Sequence, residues 1–139
     1  RIGINRPVRC TINPEVILGE EAHTSMKVNK PVNVVVIGGG TAGLEAACTA
    51  AEVGCTTFLF EAKPYLGGLA REIAKLPAKD RINDFPNYLI NRAKKLRNLY
   101  IFTNTTATME AIENLKPDVI VNATGATPLL PPITGLHDR

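Results

Sequence analysis

Val32-Asn33-Val34-Val35-Val36-Ile37-Gly38-Gly39-Gly40-Thr41-Ala42-Gly43-Leu44-Glu45-Ala46-Ala47 is the stretch on which the reading of the fold turns. Its first six residues are β-branched and almost wholly apolar, as expected of a strand covered on both faces and hence of a central strand in a parallel sheet. Three glycines end that strand. Thr41 to Val53 then contains seven alanine, leucine and valine positions, suits a closely packed helix, and stops naturally at Gly54. Thr56-Thr57-Phe58-Leu59-Phe60 follows as a second strand. Strand, glycine turn, helix and strand thus fit within about 30 residues, the size of a βαβ unit whose right-handed crossover makes its two strands parallel neighbours.

Farther along, a loop with Pro64 and the pair Gly67-Gly68 leads into a weakly helical stretch, Leu69 to Leu76. Asn83 or Asp84 can cap a helix with Pro86 in its first turn, and Phe85, Leu89, Ile90, Ala93 and Leu96 then share one face. Leu99 to Phe102 reads as a third strand, Thr108 to Leu115 as a short helix broken by Lys116-Pro117, and Asp118 to Ala123 as a fourth strand. The expected class is α/β, a Rossmann-like parallel sheet of about four strands with flanking helices. Upstream, residues 1–31 show no sustained period and read as an extended leader. Residues 32–127 then read as one Rossmann-like domain and 128–139 as a Pro-rich connection. A start at Arg1 without Met suggests an excised piece of a longer protein.

With 139 residues, 45% of them hydrophobic, the chain can bury one core of ordinary size. Val34 to Ile37 is far too short an apolar run to cross a bilayer, so no membrane association and a cytoplasmic location are expected. Cys10, Cys48 and Cys55 have no C-x-x-C spacing, which suggests neither a disulfide framework nor a self-contained zinc site. Arg71, Lys75, Lys79, Arg81, Arg92, Lys94, Lys95 and Arg97 concentrate positive charge in one segment, but without interleaved aromatics they read as a solvated helix face and not as a nucleic-acid groove. His23 and His137 have no carboxylate or nucleophile at a telling spacing, so neither reads as a catalytic base, and no catalytic residue is assigned.

Gly38-Gly39-Gly40-Thr41-Ala42-Gly43 satisfies G-x-G-x-x-G between a strand and a helix. Gly38 permits the tight turn, Gly40 lets a pyrophosphate approach the backbone, and Gly43 lets the helix pack closely on the sheet. Free N–H groups and the positive helix end, with Thr41 and Ala42 in its first turn, would face the phosphates. Glu61, at the end of the second strand, stands where a carboxylate accepts hydrogen bonds from ribose hydroxyls and repels a 2′-phosphate, which disfavours NADP at this site. FAD and NAD share the ADP moiety, and the fold alone does not choose between them.

The runs VVVIGGGTAGLEAA, LFEAKPYLGGLAREIAKLP, NTTAT and VIVNATGATPLLPPITG resemble the flavoprotein region of the 2,4-dienoyl-CoA reductase, enoate reductase and trimethylamine dehydrogenase family, over nearly all of residues 6 to 135. The resemblance implies a site for FAD, of which this stretch holds the ADP half. Gly38, Gly40, Thr41, Ala42 and Gly43 would line the pyrophosphate and Glu61 would hold the adenosine ribose. Lys63, Gly67 and Gly68 would close over the phosphates, and Ala107 would offer its backbone to adenine. Ala123-Thr124-Gly125 matches the A-T-G turn that passes close to the cofactor. Leu69 stands where relatives often carry Gln, and Ala107 where Val is common. In the same resemblance Cys10 is the last of four cysteine ligands to a [4Fe–4S] cluster, and the other three ligands have no counterpart here.

The parent enzyme so implied takes a hydride from NADH or NADPH onto FAD. It then passes electrons singly through the cluster to FMN in a barrel domain, where an unsaturated small molecule is reduced. Its barrel and nicotinamide-binding domains are the expected partners of this stretch, which alone is expected to be inactive. Two other readings stay open at this point. One is a non-redox ADP-binding module with a structural role; the other is an NAD-dependent dehydrogenase domain.

Overall fold

In a computed structural model, residues 26–127, 129 and 131–133 are described. They form β1 (Asn33–Ile37), α1 (Thr41–Glu52), β2 (Thr56–Phe60), α2 (Gly68–Ile73), a 3₁₀ turn (Asp80–Asn83), α3 (Asp84–Ala93), β3 (Leu99–Phe102), α4 (Met109–Asn114) and β4 (Val119–Asn122). The four strands make one sheet in the order β3-β2-β1-β4, with every pairing parallel. The expected α/β Rossmann-like class is what forms. The chain moves outward from β1 to β3 and then returns to the far side of β1, so the strand order reverses between β1 and β4. In open α/β sheets a ligand crevice opens beyond the carboxyl ends of the strands at such a reversal.

Alternation along β1 divides the core. Val34 and Val36 face α1 and α3 in a cluster with Leu44, Ala47, Cys48, Ala51, Leu59, Leu89, Ala93 and Leu99. Leu44, Leu59 and Leu89 are fully buried, and each contributes about 1.5–3 kcal/mol relative to exposure. Val35 points to the opposite face, where it packs with Phe60 and with Ile112 of α4. Stacked pairs Phe58–Tyr100 and Phe60–Phe102, with ring centroids 5.4 and 5.1 Å apart, extend that second face across β2 and β3. β4 is tied beside β1 at its start, where the Asn33 N–H donates to Asp118 Oδ2 at 2.8 Å and the Asp118 N–H donates to the Asn33 carbonyl at 2.9 Å.

The helix ends show how local chemistry sets the boundaries. After Glu52 the Gly54 N–H donates to the Ala51 carbonyl and the Cys55 N–H to the Ala50 carbonyl, the paired bonds of a Schellman stop. At α3 the expected side-chain cap does not form. The 3₁₀ turn runs directly into the helix, and the Asn83 side chain makes no capping bond. The face expected for α3 is the one that packs: Leu89 and Ala93 are buried, and Phe85, Ile90 and Leu96 lie against the same cluster.

Arg92 departs from the expected solvated basic face. Its side chain is only 20% exposed, and its guanidinium donates to both Glu52 oxygens at 2.6 and 2.5 Å and to both Glu45 oxygens at 2.8 and 2.9 Å. These bonds, those to Glu52 foremost, hold its pKa above the ordinary guanidinium value. A charge read as solvated is therefore the clamp between α1 and α3, because the carboxylates that partner it lie on a helix distant in sequence. Cys48 and Cys55 are buried as expected. Cys10, His23 and His137 lie outside the described residues. No described helix is long and apolar enough to cross a membrane.

Candidate functional site

Gly38 ends β1 at the reversal point, with its N–H on the Phe60 carbonyl at 2.7 Å, while the Ala123 N–H reaches the Ile37 carbonyl at 2.8 Å. The turn out of β1 is therefore wedged between β2 and the exit of β4. A Cβ on Gly43 would lie 1.8 Å from the Gly38 carbonyl oxygen, and one on Gly38 would lie 2.4 Å from the Ala123 oxygen. Both glycines are required by the protein itself, the first for close helix–sheet packing and the second for passage of β4.

Gly40 is different. It caps α1 with φ −71° and ψ −176°, a conformation open to any residue, and among the described residues an added Cβ would meet nothing nearer than the Gly68 Cα at 3.9 Å. Neither backbone strain nor a protein neighbour calls for glycine there. Its bare Cα keeps clear a space that the protein leaves open, at the end of a helix whose first turn carries no acidic side chain and whose N-cap supplies no side-chain hydrogen bond. The first-turn N–H groups, those of Thr41 and Ala42 among them, and the positive helix end make a helix head of the kind that can take an anion.

Beside this space stands Glu61, anchored at both ends of its own peptide: its N–H donates to the Phe102 carbonyl and its carbonyl accepts from the Thr105 N–H, both at 2.9 Å. The carboxylate accepts from the Gly39 N–H through Oε2 at 2.6 Å and from the Lys63 N–H through Oε1 at 2.8 Å. An ionised carboxylate has about four lone-pair sites. Two are used within the protein, and the remaining two equal the number of donors on a vicinal diol.

A second glycine turn closes the space from above. The Gly67 N–H donates to the Gly39 carbonyl at 2.8 Å, and Gly68, with φ +55°, comes so close to Gly40 that a Cβ on it would lie 2.8 Å from the Gly40 Cα. Glycine is needed at position 68 on both counts. Lys63 is exposed and rests its ammonium 5.7 Å from the Tyr65 ring centroid, within a few residues of the turn. Arg71 lies under Gly67, where its Nε would be 2.8 Å from a Cβ at that position, and this Nε is buried without a partner among the described residues, as is Asn83 Oδ1. Both residues border a cleft of about 420 Å³ between α2 and the 3₁₀ turn.

Of the residues expected at the site, the structure draws together Gly38, Gly40, Thr41, Ala42, Gly43, Glu61, Gly67, Gly68 and Ala123 around one turn. Thr124 follows immediately and bonds its own Asn122 through its hydroxyl at 3.0 Å. Gly125 follows, with nothing among the described residues within 4 Å of where its Cβ would stand. Ala107 packs its side chain with the Val35, Phe60 and Ile112 cluster on the face opposite α1. Gly39 and Leu66 were missed. Gly39 occupies a position where the motif tolerates any residue, and Leu66 is a single apolar residue in a turn-rich loop. The available signals were a third consecutive glycine that the motif does not require and a leucine just ahead of the Gly67-Gly68 pair.

The sequence pattern of the family described as FAD dependent oxidoreductase matches residues 33–117. Over 137 residues the chain is 37% identical to an NADH oxidase of Thermoanaerobacter brockii, a match covering 97% of this chain and 21% of that protein. It is 36% identical over 126 residues to a bilirubin reductase of Mediterraneibacter gnavus, covering 91% of this chain and 19% of the relative. A solved 2-naphthoyl-CoA reductase in complex with 2-naphthoyl-CoA superposes with a TM-score of 0.84 at 30% identity, over 98% of this chain and 21% of that one. The chain thus spans about one fifth of the length of the relatives it matches.

Proposed function

The chain belongs to the FAD dependent oxidoreductase family, on its enoate reductase and trimethylamine dehydrogenase side, and from that premise we propose that its glycine turn holds the ADP half of FAD. The observation that carries the reading is Gly40, whose missing side chain answers to no demand of the described residues and is explained by a pyrophosphate at the head of α1. When bound, FAD supplies two-electron acceptance with one-electron release. This chain's own residues bind and orient. The backbone at Gly40, Thr41 and Ala42 offers N–H donors to the phosphates, and Gly43 lets α1 approach closely enough for those donors to converge. Glu61 takes the adenosine ribose on its two remaining lone-pair positions, and Gly67 and Gly68 cover the phosphates with Lys63 at the rim. Ala107 offers backbone to adenine, and Ala123, Thr124 and Gly125 line the path that the rest of the cofactor follows.

For the whole protein the same reading adds NADH or NADPH as electron donor at a nicotinamide-binding domain. It also adds a [4Fe–4S] cluster with Cys10 as one of four ligands, and FMN in a barrel domain that acts on an unsaturated small molecule. The chain by itself then binds nucleotide without turnover. Calorimetric titration with FAD, ADP and NADH tests the binding claim. Comparable affinity for FAD and ADP, weakened by Glu61→Ala, is the expected result; absence of binding by all three overturns it.

A further inference from the structure

Residues 68–83, which carry α2 and the 3₁₀ turn, include no buried residue. The segment is nevertheless pinned at both ends, by buried Gly67 with its N–H on the Gly39 carbonyl at 2.8 Å and by buried Pro86 and Leu89 of α3. Between these anchors Leu69, Leu76 and Ile82 are 72%, 56% and 37% exposed, and none of them belongs to either core cluster. Among the described residues no backbone hydrogen bond ties the segment to the sheet or to α1. The side-chain bonds that leave it are exposed ones: Tyr65 to Glu72 at 3.1 Å, Arg71 to Asn87 at 3.5 Å and Arg81 to Asp84 at 3.5 Å. Its present arrangement also leaves local demands unmet. Ala78, at φ +58°, stands in the left-handed region without being glycine, and Arg71 Nε and Asn83 Oδ1 are buried without partners among the described residues. An element with little burial, a strained residue and unmet polar groups opens at small cost, and a ligand that favours another arrangement shifts it.

From these observations we infer that residues 68–83 form a lid, hinged at Gly67-Gly68, that closes on the pyrophosphate of a bound nucleotide. The inference rests on the nucleotide reading proposed above. Two features give the closure its direction. The hinge glycines hold φ +109° and +55°, and Gly68 already lies against Gly40, so the lid begins at the edge of the space kept clear at the head of α1. Past the hinge it carries Arg71, Lys75, Lys79 and Arg81 against Glu72 and Asp80, an excess of positive charge that a pyrophosphate attracts. Glycines at the hinge let the backbone turn without a Cβ to obstruct it. The anchors at Gly67 and in α3 stay fixed while the segment between them moves.

Amide hydrogen exchange of the whole chain, read peptide by peptide with and without ADP at a concentration shown by calorimetry to saturate it, tests the lid. In the free chain the amides of residues 68–83 should exchange at least about a hundredfold faster than those of α1 and β1, because they open locally while the core waits for global unfolding. ADP should slow the lid amides by at least about tenfold. A ligand that bound the open and closed lid equally would slow the core alone, since it leaves the local opening untouched. Slowing of α1 and β1 with residues 68–83 unchanged therefore overturns the lid and leaves the nucleotide reading intact, as does lid exchange in the free chain as slow as that of α1. Lys75→Glu with Arg81→Glu, at side chains 70% and 89% exposed, reverses the charge of the lid. In that variant the slowing by ADP should shrink to less than about threefold, and full slowing there overturns closure on the pyrophosphate. Failure of the unaltered chain to bind ADP overturns both the lid and the nucleotide reading.

Discussion

Replacing Gly40 by alanine separates what the protein needs from what its ligand needs. The backbone there, φ −71° and ψ −176°, accepts alanine without strain, and among the described residues the new methyl group would touch only the Gly68 Cα at 3.9 Å. At an N-cap, alanine is worse than glycine by about 0.5–1 kcal/mol, and the stiffer unfolded chain returns about 0.4–1 kcal/mol. Folding stability should therefore change by less than about 0.5 kcal/mol, read as the midpoint of a urea transition. Binding should behave in the opposite way. The methyl group stands in the space kept for the pyrophosphate and holds it away from the first-turn N–H groups, each worth about 1.5–3 kcal/mol as a donor to a charged oxygen. Loss of one or two such bonds weakens ADP by about 2–5 kcal/mol, or roughly 30- to several-thousand-fold, by calorimetric titration. Unchanged ADP affinity in a folded Gly40→Ala chain would refute the placement of phosphate at this turn. A stability loss above about 1 kcal/mol would show that the glycine serves the protein after all.

Gly43→Ala should show the reverse pattern: its Cβ would lie 1.8 Å from the Gly38 oxygen, so stability should fall by at least about 2 kcal/mol, visible as a lowered melting temperature before any ligand is added. Arg92→Met should cost only about 1–2 kcal/mol in urea unfolding, because Glu45 and Glu52, 47% and 39% exposed, stay open to water. Burial pushes the Cys48 thiol from 9.0 to about 11. The folded chain therefore keeps its proton where the unfolded chain gives it up: stability from this group is full below about pH 9 and is lost as pH rises to about 11. Relative to Cys48→Ala, the unaltered chain should lose about 2 kcal/mol across that window, and parallel pH–stability curves for the two would refute the assignment.

Legibility in the sequence followed the range of the interaction concerned. β2 and β3 occupy the expected residues, β1 and α1 differ from expectation by a single residue at one end, and α4 and β4 by one residue at each end. The signals there were local: β-branched runs, a glycine stop, a proline break. The side-chain cap expected at α3 failed, because the 3₁₀ turn before it supplies a helical lead-in that a cap would have replaced. Glu61 was legible as an acidic group near the turn, from its place after the second strand. Its bonds to the Gly39 and Lys63 N–H groups were not, since they depend on how the end of β2 meets the exit of β1.

The sequence by itself determined the alternation of strands and helices, the glycine turn at the head of α1 and the family resemblance, all of which reside in residues close along the chain, where period and steric need are read directly. Only the tertiary structure decided which glycines the packing of the described residues requires and which it leaves unexplained. Gly38, Gly39 and Gly43 are crowded by Ala123, by Glu61 and Leu66, and by the Gly38 carbonyl, while Gly40 faces open space. It likewise decided that Arg92 is a clamp and not a solvated charge. Both outcomes are set by contacts between segments far apart along the chain. A side chain's role there depends on what the fold brings to it, and no local pattern encodes that.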